Sequence, residues 1–201
     1  MEKRIVFLAS GRGSNFQVIM EKIKEKQIKA NPISLITDNP DAFCLETAKK
    51  FNLSSRILSY KNYPKLEFNE KLEELIDKDK PDLIVAAGFM KILPNSIVSK
   101  YRYKIINIHP SLLPSFPGLH AQQQAHSYGV KFSGCTTHFV DEGVDTGPII
   151  MQEIVPIVPN MTEEDLTKAI LVKEHQIFPK TIQYFCEDKI VVSGRKCNIK
   201  I

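Results

Sequence analysis

The feature that most constrains this chain is the alternation of short β-rich apolar runs with segments of helical periodicity. Ile5-Val6-Phe7-Leu8 runs without a polar break into Ala9-Ser10-Gly11-Arg12-Gly13-Ser14-Asn15, after which Phe16, Ile19, Met20 and Ile23 recur at helical spacing. Ser14 followed by Gln17 matches a capping box, which puts the expected helix start at the end of the glycine loop. The pattern repeats: a strand over Ile33 to Thr37, a helix over Asp41 to Phe51, a strand over Ser54 to Leu58, and a helix with Phe68, Leu72, Leu75 and Ile76 on one face. Leu83 to Ala87 and Lys104 to His109 read as two further buried strands. Strands separated by helices predict a doubly wound, mostly parallel α/β sheet for the first half. The second half differs, because the β-rich segments Phe132 to Val140 and Ile149 to Val158 lie close together and predict an antiparallel extension. A last helix is expected from near Thr162, capped through Asp165, with Leu166, Ile170, Ile177 and Phe185 toward the core and a kink at Pro179.

No repeat, low-complexity tract or linker divides the 201 residues, so a single domain over 1–201 is expected. With 27 basic and 23 acidic residues the net charge is +4, too mild to indicate a nucleic-acid partner. No apolar run approaches the roughly 20 residues needed to cross a bilayer, and the start Met1-Glu2-Lys3-Arg4 does not lead into a signal peptide. Cys44, Cys135, Cys186 and Cys197 are scattered without CxxC pairing, which favours buried thiols in a reducing, cytoplasmic setting over disulfides or zinc.

Three places could carry chemistry. The glycine loop follows a strand and opens a helix, so backbone N–H groups and the positive end of the helix dipole converge where a phosphate could sit. It is neither GxGxxG, since Phe16 stands where the third glycine would be, nor a Walker loop, and a tight turn needing two glycines with a Ser14 cap is the competing reading. On the strand ending Asn107-Ile108-His109-Pro110, alternation sends Asn107 and His109 to one face, and Pro110 stops the strand at the carboxyl edge where open parallel sheets bind ligands. A hydrogen-bonded pair closing a sheet edge is the competing reading. Asp145, in Val144-Asp145-Thr146-Gly147-Pro148, is by itself a turn former; folded over the strand edge it would hold His109 as an imidazolium. His120 and His138 read as structural histidines. No HExxH spacing, GxSxG elbow or kinase motif is present, so neither a metal nor an acyl-enzyme has local support.

These motifs, with Ala87-Gly88-Phe89-Met90-Lys91-Ile92-Leu93, Asn107 to Pro114, Phe116-Pro117-Gly118-Leu119-His120, Asp145 to Pro148 and Glu174-His175, occur in the order and approximate spacing of the phosphoribosylglycinamide formyltransferases. The chain resembles that family over nearly its whole length, and the resemblance implies a Rossmann-like formyltransferase fold with a nucleotide-binding half (1–110) and a folate- and catalytic-loop half (111–201). It implies transfer of a formyl group from 10-formyltetrahydrofolate to the amine of glycinamide ribonucleotide in purine synthesis, by a monomer or homodimer acting on small molecules. Carried over by position, Asn107, His109 and Asp145 are the catalytic group; Gly13, Ser14 and Asn15 hold the ribonucleotide phosphate, with Glu174 helping to hold the substrate. The folate is expected against Met90, Lys91, Ile92, Leu93 and Asn107, with Lys65 near its glutamate end. Lys91 stands where relatives often have Arg, a swap that matters little for a backbone contact; Lys65 stands where the family can use Arg, which keeps the charge but loses a bidentate fork, and Leu171 stands where relatives have a polar contact. The motif Asn-Ile-His-Pro-Ser-Leu-Leu-Pro is common to the wider superfamily, including methionyl-tRNA formyltransferase and formyltetrahydrofolate hydrolase. Another acceptor, water included, and a nucleotide-binding module without turnover are therefore the competing functions. The lack of an added domain at either end favours the glycinamide ribonucleotide acceptor.

Overall fold

The computed structural model describes residues 1–200, in two compact units, Met1–Asn107 and Ile108–Ile201. The first unit alternates β1 (Lys3–Leu8), α1 (Ser14–Lys24), β2 (Ala30–Thr37), α2 (Cys44–Lys50), β3 (Ser54–Ile57), a 3₁₀ turn at Tyr60–Asn62, α3 (Lys65–Asp79), β4 (Leu83–Ala86), α4 (Asn95–Lys100) and β5 (Ile105–His109), the strand on which the chain passes into the second unit. Its strands lie parallel in the order β3-β2-β1-β4-β5. Central position explains composition here: Ile5, Val6, Phe7 and Leu8 of β1 and Leu83, Ile84 and Val85 of β4 have no exposed surface, as strands covered on both faces require. The Phe7 and Phe16 rings, 4.9 Å between centroids, fasten α1 to β1.

A charged cluster links the first three strands to α3. Asp79, at the end of α3 and 5% exposed, takes two bonds from Arg56 at 2.7 Å and one from Ser34, while Arg4 donates to its carbonyl. Burial works to raise the Asp79 carboxyl, but these donors and the two guanidinium charges hold it below the usual carboxylate range. The cluster ties β1, β2, β3 and α3 together as structure.

The second unit holds α5 (Ala121–Tyr128), β6 (Phe132–Phe139), β7 (Ile149–Pro156), α6 (Glu163–Cys186), β8 (Ile190–Ser193) and β9 (Lys196–Ile199). The strands run β6-β7-β9-β8, with β6 antiparallel to β7, β9 parallel to β7 and β8 antiparallel to β9. Helix α6 lies against β6 and β7, with Leu166, Ile170 and Ile177 at most 2% exposed. Thr162 and Asp165 form the expected reciprocal capping box. The helix remains one element through Pro179, and Phe185 is half-buried, meeting Phe139 edge-on at 6.5 Å.

Several expectations need correction. No capping box forms at α1: Gly13, at φ 70° and ψ 31°, is the N-cap, and the Gln17 amide donates along the helix to Glu21 at 2.9 Å. Helix α2 starts three residues later than expected, because Asn39 Oδ1 accepts from the Asp41 N–H and turns the chain first. Helices α4 and α5 were not legible, since each buries only two apolar residues, Ile97 and Val98 in one and Ala121 and Ala125 in the other. The β8–β9 hairpin alternates between half-buried and exposed positions and turns on Gly194 at φ 59°. Among the described residues no helix is long and apolar enough to cross a membrane.

Candidate active site

In the first unit the glycine loop is held from two sides. The Ser10 N–H donates to the Gly88 carbonyl at 3.0 Å, the Cys44 N–H to the Gly11 carbonyl at 3.2 Å, and the Asn39 amide to the Ser10 carbonyl at 3.3 Å. The Ser10 hydroxyl in turn accepts from the Met90 N–H at 2.8 Å, linking this loop to the Met90–Leu93 segment. Ser14 and Asn15 open α1, and Asn15 is 9% exposed. The need for glycine at position 13 has a local cause: besides its positive φ, a Cβ there would stand 2.6 Å from Cys44 Cβ, whereas one at Gly11 would meet nothing within 4 Å. Gly13→Val is therefore expected to lower the Tm by several degrees as well as to raise the KM of a phosphate-bearing substrate. Thermal melts and saturation kinetics check the two effects. Gly11→Ala is expected to leave the Tm unchanged.

The Met90–Leu93 segment places two large apolar side chains in the open, Met90 at 63% and Ile92 at 77% exposed, while Leu93 is buried. Between them, the Lys91 ammonium sits 4.2 Å from the centre of the Tyr60 ring and 3.8 Å from Asp38. Apolar surface of this kind suits a flat aromatic ligand. Lys65 is exposed in the first turn of α3. Asn107 pairs in register with Ala86 of β4 and leaves β5 on the same side as His109, two positions on.

In the second unit a carboxylate gathers two histidines. His109 is 4% exposed; its Nδ1 lies 3.2 Å from Asp145 Oδ2, and its Nε2 lies 2.8 Å from the Phe116 carbonyl. His138, 2% exposed, presents Nε2 to Asp145 Oδ1 at 3.5 Å and Nδ1 to the Phe139 carbonyl at 2.9 Å. The Gly118 N–H donates to Asp145 Oδ2 at 2.8 Å. The acid from the distant turn therefore does reach the imidazole.

Asp145 adopts φ 54°, a left-handed conformation that costs a non-glycine residue about 1 kcal/mol or more and persists only where surrounding contacts enforce it. Those contacts come from the loop itself. Asp141 Oδ1 accepts from the Gly143 N–H at 3.1 Å and the Thr146 hydroxyl at 2.6 Å, and the Phe139 N–H donates to the Pro148 carbonyl at 3.0 Å to close the loop base. Gly147 is obligatory there, since a Cβ would overlap the Phe139 carbonyl.

Burial and charge act on both groups in opposite senses. Burial would raise the Asp145 carboxyl, yet the bond from His138, the Gly118 N–H and the nearby imidazoles outweigh it, and the group ends below the usual carboxylate range. For His109 the balance goes the other way: burial pushes the imidazole below its ordinary value, and the Phe116 carbonyl and the Asp145 charge only partly offset this. Burial thus works against the imidazolium expected from the sequence, while the acceptors facing both ring nitrogens favour it.

His120 is exposed and is the N-cap residue of α5. Glu174 is 7% exposed on α6, and its charge, after burial, helps push the Cys135 thiol up to about 12. Gly118 and His138 were not picked out as partners of Asp145. The signal for His138 was its place at the end of β6, at the mouth of the Asp145 loop. Among the described residues, no group of three or more His, Cys, Asp or Glu side chains is arranged to hold a metal ion.

Fold and site together define an α/β protein with an acid–base cluster at the end of a parallel strand and a glycine loop opening its first helix. The chain belongs to the formyl transferase family, whose model matches residues 3–182. It is 40% identical over 182 residues to the phosphoribosylglycinamide formyltransferase of Bacillus subtilis, covering 90% of this chain and 93% of that protein. It is also 40% identical over 194 residues to the trifunctional purine biosynthetic protein adenosine-3 of Drosophila melanogaster; this covers 95% of the chain but only 14% of that much longer relative. The crystal structure of glycinamide ribonucleotide transformylase 1 from Symbiobacterium toebii superposes with a TM-score of 0.95 at 41% identity, over 98% of this chain and 94% of that one.

Proposed function

We propose that the chain transfers the formyl group of 10-formyltetrahydrofolate to the amine of glycinamide ribonucleotide, giving formylglycinamide ribonucleotide and tetrahydrofolate, as a cytoplasmic step of purine synthesis. The observation that carries this reading is the Asp145 carboxylate fixed by the Gly118 N–H and facing the buried His109 at 3.2 Å. Family membership and the likeness to proteins named for this reaction support it. In the first unit, Gly13, Ser14 and Asn15 would receive the phosphate at the start of α1, a helix of 11 residues. Met90, Ile92 and the backbone of that loop, with Lys91 and Leu93, would hold the folate ring, and Lys65 its glutamate end. Glu174, in the second unit, would hold the ribonucleotide.

The folate supplies the formyl group. The amine nitrogen bonds to the formyl carbon, the bond from that carbon to the folate nitrogen breaks, and one proton moves from the attacking nitrogen to the leaving one. Negative charge grows on the formyl oxygen meanwhile, and donors aimed at it lower the barrier more than they aid ground-state binding. Asn107 and His109 would be these donors. The Asp145 charge beside the ring would stabilise positive charge on it as its hydrogen bond to the developing oxyanion strengthens. A water carries the proton between the nitrogens, and no covalent enzyme intermediate forms. Sedimentation distinguishes a monomer from a homodimer.

The test is a coupled assay with glycinamide ribonucleotide and 10-formyltetrahydrofolate. Formylated ribonucleotide is the expected product. Formate released at the same rate with or without the ribonucleotide would instead assign a hydrolase, and ribonucleotide binding without turnover at any pH would assign a binding module.

A further inference from the structure

We propose that the C-terminal hairpin β8–β9 is a positioning brace for the catalytic loop, acting through Arg195, whose guanidinium grips the Thr146 carbonyl next to Asp145. This rests on the reading of Asp145 as part of the active site. The Arg195 Nη2 donates to the Thr146 carbonyl at 2.9 Å, across 49 residues of sequence. The hairpin is anchored beside the loop's exit, because Lys196 pairs in register with Ile149, the first residue of β7. Gly194, at φ 59° with nothing within 4 Å of a Cβ built on it, makes the turn that presents Arg195. The hairpin lies beyond residues 3–182, so the match to the family model assigns it no role.

The loop needs such a contact. Its other ties are internal, through Asp141, at its base, through Phe139 and Pro148, and at the Asp145 carboxylate, which accepts from the Gly118 N–H. Gly118 holds the carboxylate itself, and Arg195 adds a hold on the backbone next to it. Asp145 is in the left-handed region, so a small rotation of the neighbouring peptide swings its carboxylate relative to His109 and His138, which lie 3.2 and 3.5 Å away. A carbonyl held from outside the loop removes that rotation. Arg195 is exposed and touches neither imidazole in any contact of the structure, so it positions and does not catalyse.

The test compares Arg195→Ala and Arg195→Lys with the wild-type chain. One donor suffices for the bond, so lysine is expected to restore most of what alanine removes. In Arg195→Ala the peptide covering residues 141–148 is expected to exchange amide hydrogens about fivefold faster or more, with peptides of β6 and α6 unchanged. The kcat for formyl transfer is expected to fall roughly three- to thirty-fold, with the ribonucleotide KM unchanged. Unchanged exchange in the loop would overturn the brace whatever the assay shows. Faster exchange with unchanged kcat would overturn the positioning role. A wild-type chain without formyl transfer, combined with faster loop exchange in the alanine variant, would sink the proposed function and leave the brace standing. Should Arg195→Ala fold poorly, Arg195→Gln, which keeps a shorter donor, reads the same loop exchange.

Discussion

His109→Ala is expected to lower kcat by about two orders of magnitude or more, the scale seen when a donor to a developing oxyanion is removed, or about 2.7 kcal/mol of barrier. The effect should fall on kcat and kcat/KM together, because the interaction strengthens as charge grows and contributes little to ground-state binding. Asp145 keeps the Gly118 N–H and His138 in this variant, so the loop is expected to stay in place. A buried ring is lost, however, and the Tm must be measured alongside. Turnover within a few-fold of wild type, in a variant that melts normally, would remove His109 from the mechanism.

Asp145→Asn should have the next largest effect, roughly one to three orders of magnitude in kcat, since it changes one charge and little shape. The asparagine carbonyl can still accept from the Gly118 N–H, but the ring of His109 loses the charge that stabilises its protonated form. In the wild type, burial is the largest influence on His109 and lowers its pKa, while the Phe116 carbonyl and Asp145 oppose it. Removing the Asp145 charge leaves burial less opposed, so the His109 titration is expected to move to still lower pH. An NMR titration of the ring in both proteins reads this directly, and coincident curves would show that the two residues do not interact. Stability carries the same sign. A carboxyl and an imidazole that both titrate below their unfolded values contribute stability above those values, and that stability is lost as pH falls through the folded ones. Acid unfolding of Asp145→Asn should therefore lack the carboxylate's share.

Much of the first unit was legible in the chain because its signals are local. Strand β1 is apolar at successive positions, and a strand buried on both faces must be. The projection of Asn107 and His109 from one side of β5 follows from the two-residue repeat of a strand, and Pro110 marked where the strand ends. Helix α5 escaped notice because its buried face is two alanines, which carry almost no periodic signal. The capping box expected at Ser14 had the right residues but the wrong outcome: Gly13 already supplies the turn, and Gln17 finds Glu21 one helical turn away.

The amino-acid sequence by itself marked most of the strands and the longer helices, the glycine loop and the shared face of Asn107 and His109, because backbone preference and side-chain periodicity act over a few residues; the family resemblance added Asp145 to them. Tertiary structure alone decided three things: that the Asp145 turn meets His109, that Gly118 and His138 share its carboxylate across 27 and 7 residues, and that Arg195 reaches the same loop. It also decided which way the His109 titration moves. Whether a carboxylate or the loss of water dominates an imidazole depends on how deeply both are buried, and burial depends on parts of the chain remote in sequence.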